Sequence, residues 1–193
     1  MNPPDLSSPV PDAGRRRLLF GGVAGGAALA GALWAWWRLQ PHASPAEQAS
    51  DAAFYTHSFE TLEGTQLAAE TFRGKPLLLN FWATWCPPCI AELPLLNTFF
   101  HEQQAAGWQV LGLAVDQVPA VRGFLEKRPV DFPIAMAGAG GTELTRSLGN
   151  LAGGLPFTVV FAADGRVLHR KMGQIKPQDL VDWAAKSAAA QRS

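Results

Sequence analysis

Apolar residues gather in short, nearly unbroken runs: LLLNFW at 77–82, QVLGLAV at 109–115 and FTVVFA at 157–162. Runs of this length, bounded by turn residues, read as strands buried on both faces. Between the first two runs the period changes, and a helical pattern begins after a Pro-Pro pair and is expected to end near Gly107. Val121, Phe124 and Leu125 recur at helical spacing within 119–127, residues 132–136 form a short strand candidate, and 143–148 a short helix. A last helix is expected over 177–190, with Leu180, Val181, Trp183 and Ala184 available for packing. Two hairpins frame these elements, one turning at Glu63-Gly64 between 59–62 and 65–67, the other at Asp164-Gly165 between 157–162 and 167–171. Residues 73–76 form a loop leading into the first apolar run, and 138–141 a glycine-rich flexible one. Strand–helix–strand–helix followed by strand–strand–helix predicts an α/β layer architecture.

A different pattern precedes these elements. Residues 1–17 are a Pro- and Ser-rich leader ending in Arg15-Arg16-Arg17, and the chain then runs without charge from Leu18 to Trp37. About twenty such residues suffice to cross a hydrocarbon core. Trp34, Trp36 and Trp37 crowd the C-terminal end, where indoles favour the headgroup region, and the arginines ahead of the run predict a cytoplasmic N-terminus. Residues 18–38 are therefore expected to be a transmembrane anchor or a signal segment, 39–53 a polar linker, and 54–193 the folded domain. A cleaved signal is the competing reading, since Arg-Arg-Arg-Leu-Leu resembles the front of a twin-arginine signal. The anchor is preferred because the small-residue site at Ser44-Pro45-Ala46 lies beyond the apolar run and contains proline.

Length and charge narrow the picture further. The chain has 193 residues, enough for one ordinary domain with an appendage. Sixteen basic and sixteen acidic residues leave no net charge, which argues against a nucleic-acid partner. Two cysteines are too few for a disulfide-stapled scaffold or a four-cysteine zinc site.

Those two are Cys86 and Cys89, in Trp85-Cys86-Pro87-Pro88-Cys89, between the first buried run and the helix that follows it. The spacing lets the sulfurs close a small ring without unwinding the helix. Cys86 falls at the helix N-terminus, where unpaired N–H groups and the macrodipole favour a thiolate. Cys89, one turn in and more buried, is placed as the resolving thiol. Pro87 and Pro88 suit a first helical turn, although neither can donate a hydrogen bond to the Cys86 sulfur. Trp85 is expected to face substrate beside the pair, and Trp82 to pack in the core. Glu92, three residues after Cys89, can point back toward the sulfurs as a proton-transfer group or stand as a solvated helix carboxylate. Asp116, at a strand end, reads as a helix cap, and His57, His101 and His169 show no ligand spacing with the cysteines.

The block from Asn80 to Cys89, NFWATWCPPC, followed by Glu92-x-Pro94, resembles the thioredoxin superfamily and, more closely, its TlpA/ResA-like branch of membrane-tethered thiol–disulfide oxidoreductases. The resemblance covers roughly residues 54–185 and implies a thioredoxin-like fold, a central mixed β-sheet flanked by helices with an N-terminal hairpin. It implies that Pro94 kinks the active-site helix, and that Pro156 is a cis proline opposite the cysteines, leaving the Leu155 backbone free to pair with a substrate peptide. Where thioredoxin carries a buried aspartate this chain has Asn80. Phe157 stands where the family often has threonine, which predicts a more apolar groove. The resemblance further implies a periplasmic reductase acting on protein disulfides, with cytochrome c maturation or copper-centre assembly clients and a DsbD- or CcdA-like membrane electron donor. No flavin, nicotinamide or metal is implied, since the cysteines are themselves the redox group. A dithiol oxidase, a copper-binding chaperone and a peroxidase on the same fold are the alternatives.

Overall fold

A computed structural model describes residues 51–190 together with Gly31 and Trp34. The expected membrane segment at 18–38 lies outside the described residues apart from those two positions, and among the described residues no helix is long and apolar enough to cross a membrane.

Seven strands form one sheet: β1 (Ser58–Thr61), β2 (Gln66–Ala68), β3 (Leu77–Trp82), β4 (Gln109–Ala114), β5 (Ile134–Met136), β6 (Phe157–Phe161) and β7 (Val167–Met172). Their order across the sheet is β2-β1-β5-β4-β3-β6-β7. β3 lies inside it, parallel to β4 through Trp82↔Ala114 and antiparallel to β6 through Phe81↔Phe157, so the sheet is mixed. Every residue of β3 and β6 is buried, as their unbroken apolar runs require.

Alternation along the strands divides the core in two. On one face Leu78, Trp82, Val110 and Val160 pack against helices α1 (Pro87–Gln103), α2 (Val118–Leu125) and α4 (Pro177–Ala190) through Leu93, Leu96, Phe99, Val121, Leu180 and Trp183. On the other, Leu77, Leu79, Phe81, Leu111 and Phe161 pack against Phe54, Phe72 and the short α3 (Gly141–Ser147) through Leu144. Burying each such side chain contributes roughly 1.5–3 kcal/mol, so both layers stabilise β3 in the interior between them.

Several boundaries move for local reasons. α1 gives way to a 3₁₀ turn over Gln104–Ala106, and Gly107 ends it at φ 84°, a left-handed conformation that glycine adopts freely. β5 starts at Ile134 rather than 132 because Pro133 has no N–H to give the ladder, although its carbonyl accepts from Gly112. α3 begins at Gly141, inside the stretch expected to be a loop. A 3₁₀ turn at Ala69–Phe72 has no expected counterpart, and Phe72 plugs the second core. The packed domain also takes in residues expected to be linker. Asp51–Phe54 is helical, and buried Asp51 pairs with the guanidinium of Arg170, whose Nε–H donates to the Leu148 carbonyl at 2.7 Å.

Candidate active site

β3 delivers the chain to the site. After Trp82 the segment Ala83-Thr84-Trp85 turns, and Cys86 becomes the N-cap of α1 in an extended conformation, with Pro87 and Pro88 in the first turn. Cys86 and Cys89 are joined as a disulfide, with Cα atoms 5.3 Å apart. Cys89 is wholly buried and Cys86 is 4% exposed. The prolines give the Cys86 sulfur no donor, but the Cys89 N–H does, at 3.3 Å. The sulfur at position 86 thus sits at the positive end of the α1 dipole with one amide aimed at it. Pro94 lies inside α1.

Glu92 is not a solvated helix carboxylate: it is fully buried. It stands one turn beyond Cys89, on the same stripe of α1. Its Oε1 accepts from the Asn80 side-chain amide at 2.8 Å and its Oε2 from the Ile175 N–H at 2.7 Å. The same Asn80 amide group donates to Thr158 Oγ1 at 3.0 Å. Burial pushes the Glu92 carboxyl above its ordinary value, against the Ile175 and Asn80 hydrogen bonds and the nearby Lys171 charge, which favour the carboxylate. Thioredoxin's buried acid at position 80 is therefore replaced by an amide holding an acid that arrives from the helix. Sequence spacing places Glu92 near the sulfurs, but its partners Asn80 and Ile175 lie 12 and 83 residues away, on another strand and in another loop, and leave no local signal.

Asp116 is not the cap of α2. That position belongs to Gln117, with no side-chain capping bond. One Asp116 oxygen accepts from both the Thr84 N–H at 2.8 Å and the Thr84 hydroxyl at 2.6 Å, and the other from the Gln117 N–H at 2.7 Å. The parallel register Trp82↔Ala114, continued two residues past each strand, accounts for this meeting. Asp116 therefore pins the loop that carries Trp85 and Cys86, a role that reading it as a cap missed.

The antiparallel register Phe81↔Phe157 brings Pro156 to the end of the sheet where β3 delivers the cysteines, and the Leu155–Pro156 bond is cis. Asn150, buried at the base of this loop, donates its amide to the Gly154 carbonyl at 2.8 Å. Trp82 is buried, as expected, and Trp85 is 65% exposed beside Cys86. Phe157 departs from expectation. It is buried in the second core with its ring stacked on Phe81, centroids 5.9 Å apart, so it faces away from the groove and adds nothing to its apolarity. Strand alternation explains this, since Thr158 faces the site and its neighbour must face the opposite layer.

Comparison with known proteins agrees with this geometry. Residues 46–187 match the Redoxin family. The thiol–disulfide oxidoreductase ResA of Bacillus thuringiensis subsp. konkukian is 30% identical over 126 residues, spanning 65% of this chain and 70% of that protein. The sporulation thiol–disulfide oxidoreductase A of Bacillus subtilis is 26% identical over 147 residues, 74% of this chain and 86% of its own. Among solved structures, a thioredoxin-related protein from Neisseria meningitidis serogroup B superposes with a TM-score of 0.62 at 28% identity, covering 68% of this chain and 98% of that one. A mixed sheet with the cysteine pair at a strand–helix junction and a family match over most of its length lead to one conclusion: the chain belongs to the Redoxin family and is a thiol–disulfide oxidoreductase with a thioredoxin-like fold.

Proposed function

We propose that the protein is a membrane-tethered, periplasmic reductase of protein disulfides, working through Cys86 and Cys89. The observation that carries the exchange chemistry is a buried carboxylate, Glu92, one helical turn from the buried Cys89; the direction, toward reduction, is supported by the resemblance to the TlpA/ResA-like branch. A resolving thiol must lose its proton before it can attack, and in a dry site it needs an acceptor.

The steps follow. In the reduced enzyme the Cys86 thiolate attacks a substrate disulfide; a Cys86–substrate S–S bond forms, the substrate bond breaks, and one substrate sulfur leaves as a thiolate. The Cys89 thiol passes its proton to the Glu92 carboxylate, and the resulting thiolate attacks Cys86 Sγ. The Cys86–Cys89 bond forms and the second substrate sulfur leaves with its electron pair. Two electrons have moved from the enzyme dithiol to the substrate; of the two protons that the substrate thiolates take up, one is the Cys89 proton, released through Glu92, and the other comes from solvent. Leu155, beside Pro156, would pair its backbone with the substrate chain while Trp85 covers the flank. Pro87 and Pro88 hold the first turn rigid between the sulfurs.

Export is supported by the sequence: Arg15–Arg17 ahead of an uncharged run, with leader 1–17, anchor 18–38, linker 39–53 and catalytic domain 54–193. In an oxidising compartment a reductase needs electrons from across the membrane, which points to a DsbD- or CcdA-like donor. Apocytochrome c or copper-centre cysteines are suitable clients. The test is the midpoint potential of Cys86–Cys89 in thiol buffers. A reductase is expected at or below roughly −250 mV, and a value nearer about −120 mV would mark an oxidant and end this reading. A Cys89→Ser variant, unable to resolve, is expected to retain clients as mixed disulfides.

A further inference from the structure

One polar row crosses the sheet beneath α1. Asn80 on β3 is the direct partner of Thr158 on β6, and Thr158 is the direct partner of Lys171 on β7. Directly opposed residues share a face, so all three side chains rise on the side where Glu92 is buried. Asn80 donates to both Glu92 and Thr158. Lys171 closes the row, with its ammonium gripped by Asp179 from the first turn of α4 at 2.8–2.9 Å. Asp179 is itself fixed by the Lys176 N–H at 2.7 Å, one residue after the Ile175 N–H that binds Glu92. The pair is largely covered, with Lys171 26% and Asp179 24% exposed, so water screens it less than an open surface pair.

We propose that Lys171 is a positioning charge for Glu92, and that Asp179 sets how much of that charge the buried carboxylate feels. This rests on the reading of Glu92 as the proton acceptor of Cys89. An ammonium on the same face favours the ionised carboxylate, and an aspartate holding that ammonium partly cancels it. Of the titratable groups on this side, the cysteine pair lies on the helix of Glu92 itself, Lys171 comes from β7, Asp179 of α4 holds Lys171, and His169, two residues before Lys171 on the same face of β7, stacks on Trp183. β3 and β6 offer only the Asn80 amide and the Thr158 hydroxyl, and the loop before α4 a backbone N–H. Uptake and release of the Glu92 proton during each cycle are then tuned by an ion pair that never touches the sulfurs.

The two partners act in opposite directions, which separates tuning from scaffolding. The experiment is the pH dependence of the Cys86–Cys89 midpoint potential in the full-length protein, for wild type, Lys171→Met, Lys171→Arg, Asp179→Asn and Glu92→Gln. Wild type is expected to show an inflection from Glu92 that Glu92→Gln abolishes. Lys171→Met should move it to higher pH, Asp179→Asn should move it to lower pH, and Lys171→Arg should leave it near wild type. If Glu92→Gln abolishes the inflection while Lys171→Met and Asp179→Asn leave it in place or move it the same way, the proposal falls and the proton-acceptor reading stands. If Glu92→Gln keeps the wild-type profile, the proton-acceptor reading falls and the proposal with it. Should Lys171→Met not fold, Asp179→Asn and Lys171→Arg decide: a move to lower pH in Asp179→Asn with Lys171→Arg at the wild-type position supports the proposal, and an Asp179→Asn inflection that stays in place or moves to higher pH overturns it.

Discussion

Removing the Asp116 carboxylate tests how the loop ahead of the cysteines is held. Asp116→Ala deletes an acceptor of three hydrogen bonds, from Thr84 N–H, Thr84 hydroxyl and Gln117 N–H. Bonds to a charged acceptor contribute about 1.5–3 kcal/mol each when measured singly. Here all three converge on one half-exposed carboxylate, and water can replace part of what is lost, so the expected cost is about 2–3 kcal/mol in total. Thr84→Val removes one of the three donors and should cost about 1 kcal/mol. Because both changes break the same contact, the double variant should fall short of additivity by roughly 1 kcal/mol. Urea unfolding of the oxidised protein reads these directly; with a slope of about 1–3 kcal/mol/M, Asp116→Ala should lower the midpoint by about 1 M. Acid supplies a second check. Burial alone pushes the Asp116 carboxyl up, but the Thr84 hydroxyl and the Gln117 and Thr84 N–H groups outweigh it and hold it below the usual range. Its stabilisation is therefore complete at neutral pH and lost as pH falls through the lowered value, so wild type and Asp116→Ala should converge in acid. Strict additivity with Thr84→Val, or an Asp116→Ala cost under about 0.5 kcal/mol, would refute the account.

Other expectations can be checked with the same unfolding assay. Gly112→Ala should cost about 1–3 kcal/mol by overpacking, since a Cβ there would lie 2.5 Å from Ile134 Cδ1 and 3.2 Å from both Phe132 and Trp82. Arg170→Met takes the guanidinium from buried Asp51 and from the Leu148 carbonyl; because Arg170 is 30% exposed the loss should be roughly 2–3 kcal/mol, below the range for a fully buried pair. Glu92 carries the opposite pH sign to Asp116. Its folded value is raised by burial, so its contribution is whole below the ordinary glutamate range and is lost as pH rises through the raised value. The stability of wild type relative to Glu92→Gln should therefore decline from about pH 4.5 upward, and a flat difference across that range would contradict the burial argument.

The order of elements and the redox pair were legible in the sequence because they are written in local signals, while the thioredoxin-like fold followed from the resemblance. Unbroken apolar runs mark strands covered on both sides, Asp164-Gly165 and Gly107 mark where elements turn or stop, and a C-x-x-C at a helix start has few uses other than dithiol chemistry. The sequence also suggested that Glu92, one turn past Cys89, bears on the sulfurs. Which groups would hold it was beyond local reach. Asn80, Thr158, Lys171 and Ile175 meet around that carboxylate only because β3, β6 and β7 align in one register and α4 closes over them. Asp116 read as a cap because sequence shows its neighbours along the chain and not the parallel strand whose end lies beside it. Phe157 read as a groove residue because its facing depends on strand register, and a shift of one position exchanges core for site. Periodicity and turn chemistry act over a few residues and determine the elements and the sulfurs by themselves. The burial that raises Glu92, and the partners that offset it, depend on contacts between distant segments, and only the packed tertiary structure decides those.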